Sequence, residues 1–93
     1  MVLVKRLVLD ILKPHHPNSL EFSRLLAEQG CHRVKLTVLE MDDKTETVRL
    51  EVSGESLDFD RIKAAIDDFG ASLHSIDEVE VLGDEVSHQT SAE

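Results

Sequence analysis

The amino-acid sequence predicts an α+β sandwich in which two helices cover one face of a four-stranded antiparallel sheet. Apolar and polar residues alternate with a period of two in the segments predicted as the second and third strands, and an apolar stripe with helical spacing marks two other segments. The resulting order along the chain is βαββαβ. The chain has 93 residues, which is enough for one domain and too few for two.

The first half of the chain contains two strands and the helix between them. Residues 6–12 are apolar on both faces except at Asp10, which is typical of a central strand. Pro17 suits the first turn of a helix, and the apolar pattern after it predicts a helix over residues 17–29. Residues 34–38 then alternate between apolar and polar side chains, which predicts the second strand.

The second half repeats this plan after a hairpin turn at residues 42–44, which read Asp-Asp-Lys. In residues 48–52, apolar side chains alternate with polar ones. This pattern predicts the third strand, in a sheet that is covered on one face. Asp58 is placed to cap the second helix. The last strand covers residues 73–81, and its alternation breaks at residues 75–78, which indicates a bulge or bend.

Right-handed crossovers join these elements into a ferredoxin-like arrangement, with sheet order 4-1-3-2 and both helices on one face. We predict a single domain over residues 1–83 and a polar, disordered tail over residues 84–93. In this topology the end of the first strand, the hairpin and the start of the fourth strand meet at one end of the sheet. Polar residues from all three segments are therefore expected to lie there together.

The composition argues against several classes of partner. The chain has 19 acidic and 10 basic residues and a net charge of −9, so its mean field repels nucleic acids and anionic lipid surfaces. All three aromatic residues are phenylalanines in helical segments, so the sheet lacks a platform for stacking bases. Cys31 is the single cysteine, which excludes an intramolecular disulfide and a Cys-x-x-Cys site. With no apolar run near the ~18 residues of a membrane span, we expect a cytoplasmic protein without nucleic-acid or membrane partners.

Carboxylate and imidazole groups gather at the hairpin end of the predicted sheet. Carboxylate oxygens suit calcium or magnesium, and imidazole with carboxylate suits a transition metal, so these residues are candidate ligands of a divalent cation. The candidate ligands are Asp10, His15, Glu40, Asp42, His74 and Asp77. Further polar residues in this region are His16, Asp43, Glu46 and Glu78. Their spacing matches no calcium-loop motif, since the hairpin lacks the required glycine and terminal glutamate.

Each candidate also has a simpler interpretation. The hairpin acids are typical of a solvated turn, where aspartate is favoured by local hydrogen bonds, and we prefer this interpretation for them. Asp10 lies in an apolar strand and needs a partner, which His74 on the neighbouring strand can supply. That pairing fits a structural hydrogen bond, an oligomer contact, a ligand site or a catalytic carboxylate. A hydrolase also needs an activated nucleophile, and no motif assigns a base to Ser72, Ser75 or Cys31, so we predict no catalytic residues and no required cofactor.

The sheet face opposite the helices is predicted to be partly apolar. Strand parity points Val8, Leu12, Leu39 and Met41 away from the helices. Large exposed apolar patches are uncommon on monomers, and a second copy of the chain commonly covers them. The sequence therefore predicts a homo-oligomer.

Two segments together resemble a known family. The first is Arg-Leu-Val-Leu-Asp at residues 6–10 with Lys-Pro-His at residues 13–15. The second is His-Ser-Ile-Asp-Glu-Val at residues 74–79, and the hairpin residues 40–42 and 45–46 agree with both. Over residues 5–83 the chain resembles the short archaeal family classed as domain of unknown function 211. The resemblance implies a ferredoxin-like homo-oligomer with no established enzyme activity or agreed ligand. It is compatible with divalent metal binding and supplies no catalytic residues.

Two functional hypotheses follow from these patterns. The first is a non-enzymatic binding or regulatory module that oligomerises and holds a cation or small ligand near Asp10 and His74. Regulatory domains of this topology that bind amino acids use a glycine-bearing loop after the first strand, and residues 13–17 contain no glycine. The second hypothesis is a purely structural or protein-interaction module without a ligand. A small enzyme is the third, and no glycine-rich anion loop supports a phosphatase-like role.

Overall fold

The computed structural model describes residues 1–84 and confirms the predicted βαββαβ order. The predicted tail therefore lies, apart from Asp84, outside the described residues. The elements are β1 (Leu3–Pro14), α1 (Ser19–Ala27), β2 (Arg33–Met41), β3 (Thr45–Ser53), α2 (Phe59–Asp68) and β4 (Ser72–Leu82). The sheet order is β2-β3-β1-β4 with every neighbouring pair antiparallel, as predicted. Within residues 1–84, neither helix is long and apolar enough to cross a membrane.

Side-chain caps set where the two helices begin. The Asn18 side chain accepts a hydrogen bond of 2.8 Å from the backbone N–H of Glu21, so α1 begins at Ser19 and Pro17 lies before the cap. The prediction that Pro17 occupies the first helical turn is therefore wrong by two residues. Asp58 caps α2 through a 3.1 Å bond from the Arg61 N–H, as the sequence predicts.

The core lies between the helices and one face of the sheet. Alternate residues of β1 and β3 point toward the helices and are buried, and the two helices contribute their apolar stripes. The fully buried apolar side chains are Leu9, Ile11, Phe22, Leu26, Val48, Leu50, Val52, Ile62 and Ile66. Phe22 and Phe69 pack edge to face with their ring centroids 6.0 Å apart, which joins the two helices.

Two bulges interrupt β4 where the sequence predicts a break. The register against β1 shifts at His74, so His74 and Ser75 both oppose Asp10, and it shifts again at Asp77. These two shifts keep Ile76 opposite Leu9 on the helix side of the sheet. The broken alternation in the sequence is therefore a real irregularity of the strand.

A further bulge, in β2, changes the prediction for the open face. The register against β3 shifts between Val38 and Glu40, so Met41 pairs with Glu46, whose neighbours Val48 and Leu50 face the helices. The prediction that Met41 points away from the helices is wrong because the extra residue reverses the parity of the strand.

The open face is also less apolar than predicted. Val8 is only 5% exposed, because Arg6 forms ion pairs with Glu51 and Glu78, the two residues that flank Val8 on the neighbouring strands. Leu12 and Leu39 remain exposed.

The larger exposed apolar surface lies on the helix side of β4. Helices of 9 and 10 residues extend roughly 15 Å, whereas strands of 11 and 12 residues extend roughly 35–40 Å. The helices therefore leave part of the sheet uncovered. Ile76, Val79 and Val81, which we call the β4 patch, are 47%, 52% and 46% exposed. They lie opposite Leu9, Leu7 and Val4 of β1.

Candidate functional site

The structure divides the predicted polar end of the sheet into two separate groups. Asp10 and His74 lie on the open face, whereas His15 contacts Glu46 on the helix side. Glu40 lies opposite Thr47 of β3 on the open face, and Asp77 occupies the second bulge of β4. Within residues 1–84, no three His, Cys, Asp or Glu side chains are arranged to hold a metal ion. The six predicted ligands therefore do not form one common site.

Asp10 and His74 form the pair that the desolvation argument predicts. The Nδ1 atom of His74 lies 3.0 Å from Oδ2 of Asp10. A carboxylate can only accept here, so Nδ1 carries the proton and donates it. The Asp10 side chain is 25% exposed and that of His74 is 78% exposed, so the second ring nitrogen, Nε2, is available on the outside.

A cavity of about 250 Å³ adjoins this pair. Ile11, Leu12 and Thr47 complete its lining beside Asp10 and His74. The first bulge of β4 creates this arrangement. It inserts His74 directly before Ser75, the residue that pairs with Asp10, and the His74 ring contacts the Asp10 carboxylate. The pair thus presents one oriented imidazole at the rim of a small cavity.

On the helix side, a buried lysine and glutamate form an ion pair. The side chain of Lys13 has no exposed surface, and its Nζ lies 3.1 Å from Oε1 of Glu46. Nζ also donates to the Pro14 carbonyl at 2.8 Å and lies 5.8 Å from the centre of the Phe22 ring. These contacts satisfy a charge that would otherwise be costly to bury. Burial of Lys13 was not predicted from the sequence, although Lys13 shares its strand parity with Leu7, Leu9 and Ile11.

His15 joins this ion pair to the hairpin. Its Nδ1 lies 2.9 Å from Oε2 of Glu46, and its Nε2 lies 3.0 Å from the carbonyl oxygens of both Asp42 and Asp43. All three partners are acceptors, so the ring satisfies every one of these contacts only when both nitrogens donate, which is the imidazolium form. The hydrogen bond with Glu46 raises the pKa of His15 and lowers the pKa of Glu46. A metal at His15 would have to displace one of these bonds.

This arrangement predicts a pH-dependent free energy of unfolding. Because the pKa of His15 is raised above its ordinary 6.5, its stabilisation is complete below that pH and is lost as pH rises through the raised value. Glu46 has a lowered pKa, so its stabilisation is present above its ordinary 4.5 and is lost as pH falls through the lowered value. Urea unfolding between about pH 6 and 9 should show a falling stability that His15→Gln largely removes. His32→Gln, which removes a different histidine, is the control. If the free energy of unfolding depends on pH in His15→Gln as it does in the wild type, the imidazolium assignment is contradicted.

The element order, the sheet order and the single helical layer define a ferredoxin-like α+β domain. The chain belongs to the archaeal family classed as domain of unknown function 211, described as "Uncharacterized ArCR", whose family model matches residues 5–93. It is also similar to an uncharacterized protein of Methanocaldococcus jannaschii, with 43% identity over 77 residues. That alignment covers 82% of this chain and 79% of the relative. The family resemblance in the sequence is thereby confirmed.

Proposed function

We propose that this chain is a non-enzymatic domain that assembles with copies of itself through the β4 patch and binds a divalent transition metal at His74. The observation that carries the proposal is the exposure of the β4 patch, where three neighbouring apolar side chains are each about half exposed. Covering each of them would contribute on the order of 1 kcal/mol from the hydrophobic effect.

The position of the patch favours a second copy as its cover. β4 is an edge strand that pairs with β1 alone among residues 1–84, so its outer backbone groups can accept another strand. Two β4 strands paired antiparallel about a two-fold axis would satisfy those groups and bring two patches together.

The metal part of the proposal rests on the Asp10–His74 pair. Histidines that bind metals commonly donate their other ring N–H to a carboxylate, which fixes the tautomer and orients the ligating nitrogen. Asp10 holds His74 in this way and leaves Nε2 exposed. An imidazole ligand favours zinc, nickel or a similar metal over calcium, which prefers oxygen ligands. Asp10 is then a positioning residue, and the remaining ligands come from water or a second copy.

The non-enzymatic assignment is supported by the state of the potential nucleophiles. Burial raises the pKa of the Cys31 thiol, which lowers its reactivity. The Ser75 hydroxyl donates to the Asp77 carboxylate at 2.7 Å. In the described part of the chain, no serine or cysteine side chain is hydrogen-bonded to a histidine, which is the arrangement that nucleophilic catalysis requires.

Calorimetric titration with zinc tests the metal site. The wild type should show saturable binding, His74→Ala should abolish it, and Asp10→Ala should weaken it about 10- to 100-fold because the imidazole loses its orienting partner. His16→Ala removes another exposed histidine and should leave the affinity unchanged. Equal affinities in the wild type and His74→Ala, or no saturable heat, would contradict this part of the proposal.

The alternative function is a purely structural or interaction module without a ligand. Light scattering with and without a chelator distinguishes the two. An assembly that loses mass in the chelator supports a metal held between copies, and an assembly of unchanged mass favours the alternative. A monomer in both conditions would contradict the proposed assembly.

A further inference from the structure

We propose that a second cavity, at the opposite end of the sheet from Asp10 and His74, binds a small anion that carries a carboxylate or phosphate group. The cavity has a volume of about 600 Å³, which is in the range of small-molecule sites. It lies between the α1–β2 loop and the β3–α2 loop. Its wall includes Lys5, Cys31, His32, Gly54 and Glu55.

The two loops that form this cavity are fixed to the sheet. The backbone N–H of His32 donates to the Ser53 carbonyl at 2.8 Å, and that of Gly54 donates to the Lys5 carbonyl at 3.0 Å. A Cβ atom at Gly54 would lie 3.0 Å from the Leu57 side chain and 3.4 Å from the Gly30 carbonyl. Glycine at position 54 thus allows the two loops to approach each other. The cavity walls are held in place by backbone hydrogen bonds and by this close contact.

Lys5 supplies a cation that a ligand can reach. Its side chain is 22% exposed, and its Nζ donates to the Glu55 carbonyl at 3.0 Å. The Glu55 carboxylate lies 3.5 Å from the same Nζ, but that side chain is 91% exposed. Exposed pairs of this kind contribute little free energy, so a ligand anion can take the place of the Glu55 carboxylate.

Arg61 adds positive charge to the same region. Its guanidinium donates to the Glu28 carbonyl at 3.1 Å and to the Gln29 side-chain oxygen at 3.2 Å, both neutral groups. No carboxylate forms an ion pair with Arg61 within residues 1–84. Its Nη1 lies 3.5 Å from the position of a Cβ at Gly30, in the cavity wall.

The balance of charge selects the ligand class. Lys5 lines the cavity, Arg61 lies beside it at Gly30, and Glu55 is the one acidic residue of the lining among residues 1–84, so two cations are within reach of a ligand in a chain whose net charge is −9. The surrounding negative field disfavours a long polyanion, whereas a compact anion needs only the local cations. Carboxylate and phosphate both present negatively charged oxygens that accept hydrogen bonds from an ammonium or a guanidinium group.

Amide chemical shifts of the ¹⁵N-labelled chain, titrated with phosphate and separately with citrate at constant ionic strength, test this inference. At least one anion should produce saturable shifts at Gly30, Cys31, His32 and Gly54. The anion with the lower dissociation constant identifies whether the cavity prefers phosphate or carboxylate. Lys5→Gln should weaken binding at least 10-fold, and Glu55→Gln should strengthen it several-fold because the competing carboxylate is removed.

Two further variants control for general charge effects and for damage to the fold. Lys63→Gln removes a cation that pairs with Asp67 on α2 and should leave the affinity unchanged. His32→Gln alters a side chain of the cavity wall but keeps the backbone bond to Ser53, and it should retain the folded spectrum. Absence of saturable shifts with both anions, or equal affinities in the wild type and Lys5→Gln, would overturn the inference. The anion titration does not involve His74 or the β4 patch, so its failure would leave the proposed function untouched.

Discussion

Replacement of Glu46 by alanine should lower the free energy of unfolding by about 3 to 5 kcal/mol, the cost of leaving a buried charge without its partner. Glu46 is 6% exposed, and its carboxylate is the only acidic group paired with the fully buried Lys13 among residues 1–84. The same change removes the carboxylate that holds His15. Urea unfolding near pH 6 measures this loss, because His15 is then still charged in the wild type.

Two variants show whether the loss comes from the unpaired lysine. Lys13→Met added to Glu46→Ala removes the orphaned charge and should recover a large part of the stability. Glu51→Ala removes a carboxylate from the same strand, but that side chain is 21% exposed and its ion pairs with Arg6 and Lys35 lie on the open face. Because this pair keeps partial contact with water, its loss should cost less than that of the buried pair, on the order of 1 kcal/mol. Equal losses in Glu46→Ala and Glu51→Ala would contradict the account of the buried pair.

Val79→Asp should raise the dissociation constant of the assembly at least 100-fold. Val79 lies in the middle of the β4 patch and is 52% exposed, so assembly would force the new carboxylate out of water. The fold should tolerate the change, because the same side chain is half exposed in the single chain. Sedimentation velocity over a dilution series measures the dissociation constant.

Leu20→Asp is the matched control for this substitution. Leu20 is an exposed apolar residue, 66% exposed, but it lies on α1 and outside the β4 patch. Leu20→Asp should therefore assemble as the wild type does. If Val79→Asp also sediments as the wild type does, another surface forms the interface.

Local patterns were sufficient to predict the fold. The alternation of β2 and β3, the capping residue Asp58 and the broken alternation of β4 each report on short stretches of chain, and the structure confirms all of them. The bulge in β2 was not predictable in this way. Val38 and Leu39 are both apolar, so the sequence does not show which of them leaves the regular alternation.

The candidate site was predictable only where strand order alone decided it. Pairing of β1 with β4 brings Asp10 to His74, and this needed no knowledge of the helices. Burial of Lys13 and Glu46 depends on the packing of α1, because the Phe22 ring lies over Lys13 and the Ser19 hydroxyl contacts the Glu46 carboxylate. In the sequence, Lys13 resembles a charged strand end and Glu46 a solvated turn residue, so the ion pair became visible only in three dimensions.

Hydrogen exchange of β4 tests most directly the claim that a second copy covers its edge. In the wild-type assembly, the amides of residues 72–82 should take up deuterium more slowly than in monomeric Val79→Asp, because another strand pairs with the outer edge of β4 and the adjoining patch excludes water. The central strand β3, which is paired on both sides in one chain, should exchange at similar rates in both proteins. Equal uptake by β4 in the wild type and Val79→Asp would contradict the proposed assembly.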